Sequence, residues 1–290
     1  MKITTFVVGV VLLAAASAGA QSAAWPSEGP PRPLPAHAVQ FPAYDVQSLP
    51  NGLRVVAVVQ HEQPAVTMRL LVRAGSASDP LNKLGLAHLT AAVLDQGTTT
   101  RSAQQIADSI DFIGGAEGTG AGTDLSYLNV VVMKDSFDFG MQLLSDMARH
   151  PAFSPAEIDR QRQQMLSGIQ VSDQDPSWVA NAVFDRLVYG FHPYGMPDTG
   201  TPGTIAAIGR DDLVAFHAKY FAPNNAILAV VGDVTVDEAV AEATKVFGDW
   251  APHAVVPDHY ADPPDATRRL IVAGSRTASE FRPSPGQPRP

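Results

Sequence analysis

Short runs of β-branched and apolar residues, separated by helix-like segments, limit the folds open to this chain. Runs at 52–60, 65–75 and 225–234 have the composition of strands, and 116–133 has the pattern of a Gly-rich strand, a turn near Gly122 and a second strand. An Asn-Gly turn precedes the first run, and the first two runs predict a pair of neighbouring strands. Because strands and helices alternate in blocks, the pattern predicts an α+β fold with helices gathered on one face of a sheet.

The segments between these runs have the spacing and end signals of amphipathic helices. Residues 154–170 start with Ser154 as N-cap, Pro155 at the first helical position and Glu157 at the third. The other predicted helices are a short one within 85–102 that carries a histidine and is closed by a Gly-Thr turn, then 102–114, 135–151, 175–190, 210–221 and 235–250, while 191–209 is predicted to be a loop dense in Pro and Gly.

The first 20 residues have the pattern of a cleaved secretory signal. Lys2 precedes an apolar run at 6–16, and the segment ends on Ala18-Gly19-Ala20, the small-x-small pattern of a cleavage site. The alternative is a membrane anchor, but the apolar run is shorter than the roughly 20 residues that a span needs. Residues 1–20 are therefore predicted to be a signal peptide, and the protein is predicted to be exported to the periplasm or the extracellular space, without an integral membrane segment after cleavage.

Proline content marks the boundaries of the folded part. Residues 21–45 carry six prolines and no hydrophobic periodicity, which predicts an extended arm. The folded domain is predicted to cover 46–255. Residues 256–290 are predicted to contain a linker, a last strand at 268–274 and a Pro-rich tail without a packed core, as expected where a second half is truncated.

Composition excludes several classes of function. Of the 290 residues 45% are hydrophobic, so the chain is long and apolar enough to bury a core. The net charge of −9 argues against nucleic acid as a partner, because phosphate binding needs clustered cations. The sequence contains no cysteine, which rules out disulfides, thiol catalysis and thiolate metal ligands.

Several segments, taken in their order along the chain, identify a family. These segments are NGLRVVAVVQ, VRAGSASDP, GLAHLTAAVLDQGTTTRS, FIGGAEGTGAGTD, HPAFSPAEIDRQRQQM, HPYGMPDTGTPGTIAAIGRDDLVAFHAKYFAPNNAILAVVGDV and VFGDW. Through them the chain resembles, between about residues 48 and 250, the insulinase and pitrilysin-like zinc peptidases, which include the mitochondrial processing peptidases. The resemblance implies one half of a clamshell peptidase, with a mixed, mostly antiparallel sheet and helices on one face.

The zinc motif of this family is degenerate here. In active members H-x-x-E-H on a helix supplies two histidine ligands and a glutamate that activates water. His88 matches the first position, but Ala91 stands at the glutamate position and Ala92 at the second histidine. The third ligand of the family, a glutamate on a later helix, aligns with Ser167 and Gly168. The resemblance therefore implies no metal ligand and no catalytic residue, with His88 as a vestige and zinc confined to active relatives.

Three functions stay open at this point. The first, implied by the resemblance to the first half of a zinc-less subunit, is a non-catalytic partner that supports cleavage of unfolded peptides by an active H-x-x-E-H homologue in a hetero-oligomer. The second is an active metallopeptidase with unconventional ligands, for which Asp95, Glu117 and Asp124 are the candidates beside His88. The third is a stand-alone domain that adds an extended peptide to an exposed sheet edge.

Overall fold

A computed structural model describes residues 42–256, 260 and 262. The predicted signal peptide, most of the predicted arm, the predicted strand at 268–274 and the Pro-rich tail lie outside the described residues. Of the described helices, none is long and apolar enough to cross a membrane.

The described strands form one sheet of six, in the order β1-β2-β6-β3-β5-β4. The pair β2–β6 is parallel, and every other neighbouring pair is antiparallel. The predicted α+β class with a mixed, mostly antiparallel sheet is confirmed. The strands are β1 Asp45–Ser48, β2 Arg54–Val59, β3 Ala65–Val72, β4 Ala116–Ala121, β5 Ser126–Met133 and β6 Ala226–Gly232.

The prediction that 52–60 and 65–75 form neighbouring strands is wrong. Strands β2 and β3 run antiparallel, but β6 lies between them and pairs with both. Strand β6 reaches this position after a long series of helices, the kind of connection that parallel pairing with β2 requires. A short turn and two apolar runs predict a hairpin, but they carry no signal for a strand inserted from more than a hundred residues later. Strand β1 was also missed. It begins at the last residue of the predicted arm and has only four residues, which are too few to show a strand pattern.

Eight α-helices of the described residues form the second layer. The predicted helices are all present, but the predicted loop at 191–209 contains a further helix, which is only six residues long and starts at a capping box of Thr201 and Thr204. The helices are α1 Leu86–Ala92, α2 Ala103–Phe112, α3 Phe137–Arg149, α4 Pro155–Ser172, α5 Pro176–Tyr189, α6 Pro202–Ala207, α7 Arg210–Tyr220 and α8 Val236–Phe247.

The core lies between the sheet and the helices. Every second side chain of β3 and β5 is buried, as the alternation of a strand requires. Helix α3 packs on these two strands, and Gly140 permits its close approach, since a Cβ at that position would lie 2.7 Å from Met68. Helix α5 differs from the other long helices, because none of its residues is fully buried. Phe184 and Val188 of α5 are exposed.

The opposite face of the sheet is largely apolar and keeps access to solvent. The register places Val58, Val231, Thr67 and Val131 in one row across four strands. Val231 is 38% exposed. Apart from Arg54, strands β2 and β6 are apolar on both faces, a composition typical of strands that are covered on both sides. This face therefore has the composition of an interface.

We expect the purified chain to self-associate through this face, because large apolar patches on soluble proteins pair or aggregate. Val231→Lys places a charge in the middle of the face and should lower the mean mass in light scattering. Phe112→Ser is the matched control, since Phe112 is 90% exposed but belongs to α2 in the helical layer. A wild-type chain that stays monomeric at high concentration would contradict the prediction.

Candidate functional site

The helix that carries the degenerate motif, α1, is fixed at its first turn by a carboxylate. Asp79 accepts hydrogen bonds from the backbone N–H of Gly85 at 2.8 Å and of Ala87 at 2.9 Å. Gly85 has a φ of +90°, and a Cβ there would lie 2.4 Å from Ile205, so only glycine fits. Burial raises the pKa of Asp79 to about 7, although the bonds from the helix N–H groups act in the opposite direction.

The turn after α1 is fixed by a second carboxylate. The hydroxyls of Thr98 and Thr100 both donate to Asp146 at 2.8 Å, and the guanidinium of Arg101 donates to the same oxygen. Asp146 belongs to α3, which packs on the sheet. Both ends of the short helix α1 are therefore held by hydrogen bonds from other segments.

His88 is half-buried and is held by the loop before α6. Its imidazole lies near the backbone and the carboxylate of Asp198. Burial lowers the pKa of His88, against the opposing effect of Asp198. The Nδ1 atom is buried without a hydrogen-bond partner among the described residues. The imidazole therefore lies between α1 and this loop, in surroundings whose burial disfavours its charged form.

The positions that complete the family motif lack donor atoms. Ala91 has no exposed surface, and Ala92 is partly buried. Ser167 and Gly168 lie on α4, which contacts α1, and both are exposed. A Cβ at Gly168 would meet no heavy atom within 4 Å. Helix α4 thus contains the positions where the third ligand of the family is expected, but Ser167 offers only a hydroxyl and Gly168 has no side chain.

The residues present do not fit a zinc ion. Zinc sites in enzymes use three protein ligands, drawn from His, Cys and carboxylates. Within the described residues no group of three or more such side chains could hold a metal ion. The candidate ligands Asp95 and Glu117 do meet, but Asp124 does not complete a site with them, since both of its oxygens accept from the hydroxyl of Tyr194 at 2.9 Å.

Asp95 and Glu117 form a carboxyl pair beside α1. Asp95 follows α1 and accepts from Gln96 at 2.6 Å and from Thr119 of β4 at 3.3 Å. Glu117, also on β4, has one buried carboxylate oxygen with no hydrogen-bond partner among the described residues. Burial, and then the nearby Asp95, raise the pKa of Glu117 to about 7. Burial also raises the pKa of Asp95. The sequence predicts both residues only as candidate metal ligands and gives no signal for the pair.

Strand β4 borders the site and forms an edge of the sheet. It pairs with β5 on one side, and no described strand lies on the other. Its sequence, AEGTGA, has no proline and no lysine, the residues that often protect an edge from further pairing. Helix α1 packs against β4. An extended peptide added at this edge would lie alongside the helix of the degenerate motif.

The loop that holds His88 also forms the wall of a cavity. Residues 192–195 form a turn in which Nδ1 of His192 accepts a hydrogen bond from the backbone N–H of Tyr194 at 3.2 Å. The cavity has a volume of about 200 Å³. Its lining includes aromatic, amide and acidic side chains, namely Trp178, Asn181, Asp185, Tyr194 and Asp198.

Comparisons with known proteins agree with the geometry. Residues 54–197 match the family model described as insulinase (peptidase family M16), and 207–281 match the model described as the peptidase M16 inactive domain. An uncharacterized zinc protease of Rickettsia bellii is 28% identical over 204 residues, which are 70% of this chain and 50% of the relative. One from Mycobacterium leprae is also 28% identical, over 69% of this chain and 45% of the relative. The chain spans about half the length of these relatives.

Solved structures show the same fold. The peptidase M16 inactive domain from Pseudomonas fluorescens superposes with a TM-score of 0.71 and 28% identity, covering 76% of this chain and 54% of that one. The periplasmic protease PqqL from Escherichia coli superposes with a TM-score of 0.71 at 19% identity, over 79% of this chain and 26% of that one.

Asp79 makes a testable contribution to the pH dependence of stability. The pKa of Asp79 is about 7 in the folded protein, against 3.8 for an ordinary aspartate, the value expected in the unfolded chain. At a pH between these two values, the folded state keeps a proton that the unfolded chain has lost. The stability from Asp79 is therefore complete below about pH 4 and falls as the pH rises to about 7. We expect the unfolding free energy of the wild type, minus that of Asp79→Asn, to fall as the pH rises over this range in urea titrations. A difference that stays constant with pH would contradict the assignment.

A glutamate should lower the unfolding free energy at position 91 of the degenerate motif and raise it at position 168. Ala91→Glu places an unpaired charge at a position with no exposed surface, so we expect a loss of stability on the order of 3 kcal/mol. Gly168→Glu replaces a helical glycine in open space and should stabilise by up to about 1 kcal/mol. Urea unfolding of both variants measures the two changes in unfolding free energy. Equal changes would contradict the buried position of Ala91 and the exposed position of Gly168.

Proposed function

Since this chain belongs to the insulinase family of zinc peptidases, we propose that it is an exported, non-catalytic member that holds extended peptides and supports an active relative with the H-x-x-E-H motif. The observation that carries this proposal is the pair Ala91 and Ala92 on α1. They occupy the positions of a water-activating carboxylate and a metal ligand, and an alanine methyl group can do neither.

The peptide-holding role is supported by the edge of the sheet. Strand β4 offers unpaired backbone N–H and C=O groups along one side, and an extended peptide bound there would gain main-chain hydrogen bonds. Such bonds do not depend on the side chains of the peptide, so they suit unfolded substrates of varied sequence. The site lies beside α1, where an active relative would place its metal.

The partner role is supported by the apolar face of the sheet. The face that carries Val58, Val231 and Val131 has the composition of a covered surface. A second half, supplied by an active homologue, would cover this face and complete a peptide chamber. Export is supported by the signal-like segment 1–20 and by the similar fold of a periplasmic protease.

Two alternatives lead to different measurements. An active metallopeptidase with unconventional ligands would need three donors around a metal, and His88, Asp95 and Glu117 do not form such a group. A stand-alone peptide-binding domain would use the same edge of β4 without a partner. Metal content separates the enzyme from the other two functions, and association with an H-x-x-E-H homologue separates the subunit from the stand-alone domain.

We expect the purified protein to hold no stoichiometric zinc and to cleave no unstructured peptide alone. Metal analysis and a fluorogenic peptide assay measure both properties. Ala92→His with Gly168→Glu restores three donors together with His88, and this double variant should bind zinc more tightly than the wild type in calorimetric titration. The same double variant with His88→Ala is the matched control and should lose that gain. One tightly held zinc per wild-type chain, lost in His88→Ala, would overturn the non-catalytic assignment.

Peptide and partner binding are tested on the same protein. Addition of an unstructured peptide should slow amide hydrogen exchange at 116–121, while the opposite edge strand, Asp45–Ser48, serves as the internal control. Co-expression with an active H-x-x-E-H homologue should yield a stable complex with higher peptidase activity than the homologue alone. A homologue whose mass and activity are unchanged by this chain would contradict the partner role.

A further inference from the structure

Glu117 is an acidic residue that points inward from an edge strand. The register pairs Glu117 with Val130 of β5, whose side chain is fully buried against the helices. Side chains paired directly across two strands lie on the same face of the sheet. The carboxyl group therefore lies in the helical layer, between β4 and the end of α1, and not on the open face of the sheet.

The surroundings of Glu117 leave its charge without compensation. On α1 and the segment after it, the nearest acidic group is Asp95, which also contacts Thr119 of β4. On α4, Arg160 acts on Asp95, but its guanidinium is bonded to Gln96 and Glu157.

The remaining elements packed on β4 add no opposing charge. Strand β5 presents Leu128 and Val130 to this side. Helix α2 carries Asp108 and Asp111, both exposed and both acidic. The imidazole of His88, which lies on α1, is next to Asp198. With one oxygen of Glu117 buried and unpartnered and Asp95 nearby, the form in which both carboxyl groups are charged is disfavoured.

An added strand would bury this pair further. A peptide strand beside β4 places alternate side chains in the helical layer, about 5 Å from the neighbouring side chains of β4. Glu117 is only partly buried in the free protein, so this neighbour removes water from its remaining open side. Loss of water disfavours the charged form of a carboxyl group.

We propose that peptide addition at β4 is coupled to proton uptake by the Asp95–Glu117 pair, so that the protein holds peptides more tightly below neutral pH than above it. This inference rests on the proposed function of β4 as a peptide-binding edge. By linkage, a ligand that raises the proton affinity of a group binds more tightly where that group is protonated. The coupling lets mild acid retain a peptide and mild alkali release it, without any change in fold.

The test uses a capped peptide of Ser, Thr and Val, which carries no ionisable group. Calorimetric titrations from about pH 5.5 to about pH 8.5 should show the Kd rising with pH. The total rise should be about tenfold for each tenfold by which the bound peptide raises the proton affinity of the pair. Titrations in two buffers with different ionisation enthalpies should show uptake of a proton near neutral pH. Glu117→Gln mimics the protonated form and should bind tightly at every pH. Asp95→Asn should weaken the pH dependence, and Glu62→Gln, in an exposed turn, is the matched control with wild-type behaviour.

The outcomes separate this inference from the function on which it rests. A peptide that binds with the same Kd at every pH and takes up no proton would overturn the coupling and leave the peptide-binding edge intact. A peptide that does not bind wild type or Glu117→Gln at any pH would overturn the proposed function and the coupling with it. A pH dependence of the Kd that persists unchanged in Glu117→Gln and in Asp95→Asn would assign the effect to another group and overturn the inference.

Discussion

The insertion of β6 between β2 and β3 is the constraint on which the rest of the structure depends. Strand β6 pairs with β3 along its whole length, antiparallel, and with β2 from Ile227 to Gly232, parallel. Its position moves β3, β5 and β4 away from β2 in that order and leaves β4 at the far edge. Because α1 packs on β4 and β5, the same order fixes where the degenerate motif stands relative to the edge.

The sequence predicts the parts of this arrangement that follow from local rules. Helix positions follow from periodicity and caps, as for Ser154 and Pro155 at the start of α4. The loss of donor atoms at Ala91 and Ala92 is a matter of residue identity and needs no coordinates. The placement of β6 is different, because pairing between distant strands depends on the free energy of the whole sheet and leaves no local pattern in β2 or β3.

The carboxyl pair was missed for a related reason. Residue numbers place Asp95 after α1 and Glu117 on a strand, but only the register shows that Glu117 shares a face with Val130. Alternation along a six-residue strand with two glycines gives a weak signal for which side faces inward. The carboxylate of Asp79 was missed in the same way, since its bonds to Gly85 and Ala87 require a turn that the sequence does not specify. Polar groups that act through burial are visible only once packing is known.

Helix α5 is attached to the domain more weakly than the other long helices. None of its residues is fully buried, although it has 14 residues, a capping aspartate at Asp175 and a glycine with positive φ at Gly190. A helix of this length is marginally stable without tertiary support, so its local unfolding costs far less free energy than unfolding of the sheet. Substitutions along α5 therefore change the surface of the protein at little cost to the core.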